Sequence, residues 1–243
     1  MRFTQVDVFT DELMYGNPVA VVHDSDGLDD EQMAAFARWT NLSETTFLLR
    51  PTDPDADYRL RIFTTRGELP FAGHPTLGSA RAWLAAGGVP RSADSLVQEC
   101  GAGLVRVRVR DDGGRLAFAA PPLRRGGPVD EADIEEVAAG LGIGRHDVIG
   151  AQWADNGPGW VALLLRSAEA VLAIEPRGFG TLDKVGVVGP HPPGGPADVE
   201  VRAFFPPGED PVTGSLNAAI GQWLIGSGLA TDSYIAAQGT RLG

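Results

Sequence analysis

Arg59-Leu-Arg-Ile-Phe-Thr-Thr-Arg-Gly-Glu-Leu-Pro-Phe-Ala-Gly-His74 recurs later in the chain as Glu200-Val-Arg-Ala-Phe-Phe-Pro-Pro-Gly-Glu-Asp-Pro-Val-Thr-Gly-Ser215. Arg61 matches Arg202, Phe63 matches Phe204, Gly67 matches Gly208, Glu68 matches Glu209 and Gly73 matches Gly214, each pair 141 positions apart with no gap. Trp83-Leu84 and Trp223-Leu224 recur beyond, each soon followed by glycines, and Gly157-Pro-Gly-Trp-Val-Ala-Leu163 weakly echoes Gly16-Asn-Pro-Val-Ala-Val-Val22. One long repeat at this spacing denotes a duplicated domain, since a solenoid needs several shorter ones. Each copy, about 120 residues, is large enough for a small core of its own. The pattern breaks at Asp111-Asp-Gly-Gly and Pro121-Pro122, which places two domains at residues 1–118 and 119–243.

Within each copy the same elements follow one another. Short β-forming runs occupy 2–9, 18–22, 45–50, 58–64, 104–110 and 115–119, then 148–152, 160–166, 185–188 and 199–205. After the repeat signature comes a helix of unusual composition, Pro75–Ala86 and Leu216–Ser227, rich in Ala, Leu, Trp and Gly with Arg81 its one basic residue. A helix that is apolar nearly all round belongs inside, and a curved sheet wrapped around it is the natural housing. Two amphipathic helices are predicted at Asp29–Trp39, facing inward with Met33, Phe36 and Ala37, and at Asp130–Gly140, with Ile134, Val137 and Ala138. The class is therefore α+β: two domains related by a pseudo-twofold, each a curved sheet or barrel around a central buried helix.

Composition removes several kinds of function. With a net charge of −12 the chain lacks the basic stripe of a nucleic-acid binder. Arg106, Arg108 and Arg110 alternate with valines and read as the wet face of a strand. No apolar run is long enough to cross a membrane, and the N-terminus alternates like a strand rather than a signal peptide, so a cytoplasmic location is expected. Cys100 is the only cysteine, without an adjacent cation to activate it. The four histidines, His23, His74, His146 and His191, are scattered, so no zinc motif forms and no metal is expected. Lys184 is the only lysine and sits in an unremarkable setting, which weighs against Schiff-base chemistry.

Chemistry is expected where the central helices begin. A helix N-terminus presents unpaired N–H groups and partial positive charge, and glycine admits a ligand close to the backbone. Gly73 and Gly214, facing one another across an interdomain cleft, would bind a carboxylate. His74 and Ser215 occupy matching places beside them, and Asp210 lies five residues before Ser215. Glu44, in Asn41-Leu-Ser-Glu-Thr-Thr-Phe47, stands where an amphipathic helix ends and an apolar strand begins. A carboxylate there is either a solvated loop residue or a cleft-facing general acid/base.

Gly16-Asn-Pro-Val-Ala-Val, Asn41-Leu-Ser-Glu-Thr-Thr-Phe, Glu68-Leu-Pro-Phe-Ala-Gly-His-Pro-Thr-Leu-Gly78 and Asp210-Pro-Val-Thr-Gly-Ser215 together resemble the phenazine-biosynthesis PhzF-like family, and Gln238-Gly-Thr-Arg-Leu-Gly243 resembles a later motif of it. The resemblance covers essentially the whole chain and implies the diaminopimelate-epimerase-like fold. It implies isomerisation of a dihydro-hydroxyanthranilate type of substrate, a small carboxylate-bearing molecule, by proton transfer without metal or organic cofactor. Glu44 would be the acid/base, His74 and Asp210 would relay or position protons, and Gly73, Gly214 and Ser215 would bind substrate. It also implies a homodimer. Related racemases carry paired cysteines at the helix openings; Gly73-His74 and Gly214-Ser215 have none, so two-thiol racemisation is not expected. Family members continue past the Gln238 motif with a final strand pair, without which a sheet edge would be open. The competing readings are an amino-acid epimerase and a catalytically silent small-molecule binding protein.

Overall fold

The computed structural model describes every residue except Leu13, 111–113, Phe179, Pro207 and Gly243. Asp111–Gly113 of the expected boundary stretch, and Gly243 at the end of the Gln238 motif, thus lie outside the described residues. The chain divides into two compact units, Met1–Ala119 and Ala120–Gly243.

Unit one contains β1 (Phe3–Val8), β2 (Asn17–Val22), α1 (Asp30–Thr40), β3 (Thr45–Leu49), β4 (Tyr58–Phe63), β5 (Glu68–Leu69), α2 (Gly73–Ala85), β6 (Ser95–Cys100), β7 (Gly103–Val109) and β8 (Leu116–Phe118). Its sheet runs β1-β2-β3-β4-β6-β7-β8, with β5 hairpinned onto β4. Unit two contains α3 (Glu131–Leu141), β9 (Val148–Trp153), β10 (Val161–Leu165), α4 (Ala168–Leu172), β11 (Val185–Pro190), β12 (Val199–Phe205), β13 (Gly208–Asp210), α5 (Gly214–Gly226) and β14 (Ala236–Gln238). Its sheet runs β13-β12-β11-β10-β9, with β14 on β12.

The duplication is explicit in the pairing. Antiparallel β1/β2, parallel β2/β3, antiparallel β3/β4 and antiparallel β4/β5 in unit one recur as antiparallel β9/β10, parallel β10/β11, antiparallel β11/β12 and antiparallel β12/β13 in unit two. β6 joins β4 in parallel, and β14 joins β12 likewise. Each parallel step needs a crossover: α1 and the five-residue α4 supply it for β2/β3 and β10/β11, and the central helices α2 and α5 for β4/β6 and β12/β14.

Strand alternation puts a core on both faces of each sheet. Tyr58, Leu60 and Ile62 of β4 pack with Val19, Val21 and Ala80 on the α2 side. Val22, Phe47 and Phe63 pack with Met33 and Ala37 of α1 on the other. In unit two, Val199, Val201 and Ala203 of β12 meet Leu216, Ala219, Ile220 and Trp223 of α5. Phe204 turns to the opposite core with Ile134 and Val137 of α3 and Val171 of α4. α1 opens on a capping box between Asp29 and Gln32, which explains why its start is readable in the sequence.

The central helices start two residues earlier than the sequence predicts, at Gly73 and Gly214, so both glycines lie in the first turn. Burial is less complete than the composition suggests: six of the 13 residues of α2 and five of the 13 of α5 are buried, Arg81, Ala85, Gly214, Ile225 and Gly226 are exposed, and the others are partly buried. The polar residues that α2 buries are satisfied: Thr46 Oγ1 lies 2.8 Å from Ser79 Oγ, and Gln98 Nε2 donates to Thr76 Oγ1 at 3.0 Å.

The repeat signature itself proves to be a clamp. Arg61 on β4 grips Glu68 on β5 with Nε–Oε1 at 2.8 Å and Nη2–Oε2 at 2.6 Å. Arg202 on β12 grips Glu209 on β13 with the same atoms at 2.9 and 2.7 Å. Two parallel N–H···O bonds fix direction as well as distance. Each guanidinium also lies over the phenylalanine two residues on, Phe63 or Phe204. The clamp closes the tight hairpin from which each central helix is launched, so the recurring pairs serve geometry directly.

Candidate active site

In unit one, Asn41 ends α1 in the left-handed conformation, with φ 55°, and the chain then turns through Ser43 and Glu44 into β3. This delivers Glu44 to the opening of α2. Its Oε2 stands 3.4 Å from His74 Nε2, and the two side chains are 16% and 10% exposed. The contact is close but not aligned as a hydrogen bond. The Glu44 side chain is thus largely shielded from solvent. On the other side of the ring, His74 Nδ1 lies 3.3 Å from Asn17 Nδ2, the first residue of β2. Gly16 before it has no room for a side chain, because a Cβ would sit 2.4 Å from the Val8 carbonyl oxygen. That close approach sets where β2 begins and so where Asn17 points.

Burial pushes the His74 imidazole down to about 4, against a smaller opposing pull from the Pro18 backbone carbonyl. The ring is therefore neutral at physiological pH. Its folded value lies below the unfolded 6.5, so it contributes stability that is full above pH 6.5 and is lost as pH falls toward 4. His23, depressed mainly by burial and then by Arg2, acts in the same direction. At 1.36 kcal/mol per pH unit, His74 should account for up to about 3 kcal/mol of acid destabilisation. Urea unfolding at pH 7 and pH 4 should show a smaller acid loss for His74→Gln than for wild type; equal losses would remove this assignment.

In unit two, Asp210 lies at the end of β13, before α5. Its Oδ2 accepts from Thr213 Oγ1 at 2.8 Å and its Oδ1 from the Val212 N–H at 3.2 Å. Gln238 of β14 ties the turn down: Nε2 donates to the Asp210 carbonyl at 2.9 Å and to Thr213 Oγ1 at 3.0 Å, while Oε1 accepts from the Thr213 N–H at 3.1 Å. Asn217 Nδ2 adds a bond to Gln238 Oε1 at 2.6 Å. Ser215, the second residue of α5, receives the Trp160 indole N–H on Oγ at 3.1 Å, and its carbonyl accepts from Asn156 Nδ2 at 2.8 Å.

Neither central helix has a side-chain cap at its N-terminus: Ala72 offers no acceptor, and the Thr213 hydroxyl oxygen accepts from Gln238 Nε2 while its hydrogen goes to Asp210. The two glycines differ. A Cβ at Gly73 would stand 3.1 Å from Phe118 Cζ, whereas nothing lies within 4 Å of one at Gly214. Gly73 thus has a packing reason for its identity and Gly214 has none.

Cys100 is partly exposed on β6, its Sγ 3.5 Å from the Gly103 carbonyl oxygen. Cys100→Ser should keep activity within about a factor of three, because the Sγ meets the Gly103 carbonyl oxygen and no candidate site residue; a hundredfold loss in a steady-state assay would overturn a thiol-free reaction. Arg106 and Arg108 lie on the exposed side of β7, with Val107 between them buried. Among the described residues no helix is long and apolar enough to cross a membrane. No group of three or more His, Cys, Asp or Glu is placed to hold a metal ion among them.

Sequence reasoning singled out Glu44, His74, Asp210, Ser215 and the two glycines, but not Asn17, Trp160, Asn156, Asn217 or Gln238 as individual contributors. The signal for the first two was present: Asn17 lies in Gly16–Val22 and Trp160 in its echo, Gly157–Leu163.

Comparison with known proteins follows the same lines. The PhzC-PhzF family, described as phenazine biosynthesis-like protein, matches residues 6–243. The Antisense-enhancing sequence 1 protein of Schizosaccharomyces pombe is 39% identical over 258 residues, spanning 99% of this chain and 86% of the relative. The trans-2,3-dihydro-3-hydroxyanthranilate isomerase of Pseudomonas aeruginosa is 38% identical over 177 residues, which is 72% of this chain but only 61% of that enzyme. The crystal structure of the Bacillus anthracis phenazine biosynthesis protein of the PhzF family matches with a TM-score of 0.79 at 22% identity, covering 100% of this chain and 88% of that one, a likeness of fold. With its doubled sheet-and-helix units and its uncapped helix openings, the chain belongs to the PhzC-PhzF family and is an enzyme of the isomerase class.

Proposed function

We propose that this protein is a cofactor-independent isomerase that moves a proton on a small carboxylate-bearing metabolite of the dihydro-hydroxyanthranilate kind. The observation that carries the reading is the near-buried Glu44 carboxylate beside a neutral His74 at the opening of α2. Glu44 takes a proton from one carbon as the C–H electron pair moves into the conjugated system. The same carboxyl then gives a proton to another carbon, so atoms and charge balance and nothing is oxidised. The neutral imidazole offers polarity without a competing positive charge. Asp210, its two oxygens held by Thr213 and Val212, is assigned the second proton-handling role.

At the α5 opening the first-turn N–H group at Gly214 and the Ser215 hydroxyl are assigned to the substrate carboxylate, and at the α2 opening the N–H at Gly73 is assigned a substrate-binding role of its own. Gly214→Ala tests this with two opposite signs. Open space and helical backbone mean the methyl should leave the fold as stable or raise it by about 0.5–1 kcal/mol. Substrate KM should nonetheless rise on the order of tenfold. An unchanged KM would take Gly214 out of the binding role.

The decisive experiment is incubation with trans-2,3-dihydro-3-hydroxyanthranilate in deuterium oxide, followed by NMR. Isomerisation with deuterium or transferred proton at a new carbon supports the reading. Exchange with inversion at one carbon and no bond shift would indicate an epimerase, and binding without exchange a silent binding protein. A homodimer is proposed with it: β1 is an edge strand whose Phe3, Thr4 and Gln5 are exposed. Light scattering that returns a monomer at high concentration would remove the dimer.

A further inference from the structure

The residue in second place on each central helix is held in the same way. In unit one an amide nitrogen at the start of β2, Asn17 Nδ2, lies 3.3 Å from His74 Nδ1. In unit two an indole nitrogen just before β10, Trp160 Nε1, lies 3.1 Å from Ser215 Oγ. β2 and β10 hold the same place in their sheets, and His74 and Ser215 are 141 positions apart, the offset of the whole repeat. Two unrelated side chains, at non-matching repeat positions, thus each bring a nitrogen to the side chain in second place on the central helix.

The chemistry of the tryptophan fixes the polarity. An indole N–H can only donate, so Ser215 Oγ accepts from Trp160 and the hydroxyl hydrogen is what Ser215 has left to present. An Asn17 amide acting with the same polarity donates to Nδ1, which makes Nδ1 the acceptor. A neutral imidazole carries one ring proton, so that proton must then sit on Nε2, the nitrogen facing Glu44 Oε2 at 3.4 Å. The depressed basicity of the ring agrees, because a neutral ring is required for the tautomer to matter.

We infer that Asn17 and Trp160 are positioning residues that turn the helix-opening side chains, His74 and Ser215, into fixed hydrogen-bond donors. His74 then carries its N–H on the side of the Glu44 carboxylate, 3.4 Å away though not aligned as a hydrogen bond, and cannot accept the Glu44 proton. It is a polariser of the base and not a relay station, which narrows the role that the sequence leaves open between relaying and positioning. The mechanistic consequence rests on the reading of Glu44 as proton carrier; the tautomer itself does not. The Pro18 carbonyl, which favours protonation of the ring, is the competing acceptor on the same strand.

The test is long-range proton–nitrogen NMR on protein labelled with ¹⁵N-histidine at neutral pH, with the His74 signals identified by their loss in His74→Gln. The expected wild-type pattern is Nε2–H with an unprotonated Nδ1. Asn17→Asp, which replaces a donor with an acceptor, should move the proton to Nδ1 and raise the titration midpoint of His74. A wild-type ring in the Nδ1–H form, or an Asn17→Asp ring unchanged in tautomer, overturns the assignment for His74. For Trp160, the indole N–H should lose at least about tenfold of its exchange protection in Ser215→Ala, in line with one lost hydrogen bond; unchanged protection overturns the assignment for Ser215. Both measurements are made without substrate. Their failure would leave the Glu44 reading standing, and a Glu44→Gln variant of undiminished rate would sink that reading while leaving the tautomer intact.

Discussion

Glu44→Gln should lower kcat by 10²- to 10⁴-fold, about 3–5 kcal/mol of barrier, while the protein melts within about 1 kcal/mol of wild type. The amide keeps the shape of the carboxyl and removes the oxygen that can carry a proton. The site makes this a large effect because Glu44 is only 16% exposed, so water has little room to take over its role. KM should change little, since the substrate carboxylate is assigned to the α5 opening. A proportional loss of kcat and stability would point to a structural role. A rate within a few-fold of wild type would remove Glu44 as proton carrier, whatever the fold.

Arg202→Met should cost about 3–5 kcal/mol of stability, the usual result of breaking a buried ion pair by removing one partner. Arg202 and Glu209 are 4% and 11% exposed at the side chain, and the change strands the Glu209 carboxylate. The same guanidinium also donates to the carbonyl oxygens of Val171 at 3.1 Å and Ile174 at 2.8 Å, where α4 ends, and those would lose a partner too. Arg61→Met should cost clearly less, because Glu68 is 42% exposed and water can solvate it once the partner is gone. Urea midpoints of the two variants compared under one condition decide the matter. Equal losses would mean that burial of the clamp is not what sets its worth.

The duplication was legible because Arg61, Phe63, Gly67, Glu68 and Gly73 all recur at one spacing. Both amphipathic helices could be read because the aspartates at their starts and their apolar stripes are local signals. The short elements were not legible: β5, β13 and α4 have too few residues for periodicity to develop. β6 and β14 owe their place to parallel partners far along the chain. Glu44, His74, Asp210 and Ser215 were visible through the family resemblance, yet their environment was not. Nothing in Gly16-Asn-Pro says that its asparagine meets His74, and nothing in Gly-Trp-Val says that its indole meets Ser215. Those contacts exist only once the strand start and the helix start are brought together. The Arg–Glu pairs show the opposite failure: their identities were noticed and their purpose was not, since matching letters carry no information about which atoms touch.

The clamp also has a kinetic meaning. Arg61 and Glu68 are seven residues apart, as are Arg202 and Glu209, so each hairpin closes a very short loop. Tyr58 and Gln98, which bond across the β4/β6 pairing, are 40 residues apart. Loop closure costs more as the separation grows, and non-local pairings form late. During refolding the two hairpins should therefore acquire protected amides first, each independently of the other, and the parallel strands should dock afterwards. Pulse-labelling hydrogen exchange would then show two early islands at 61–68 and 202–209 in a chain whose helix openings are still being assembled.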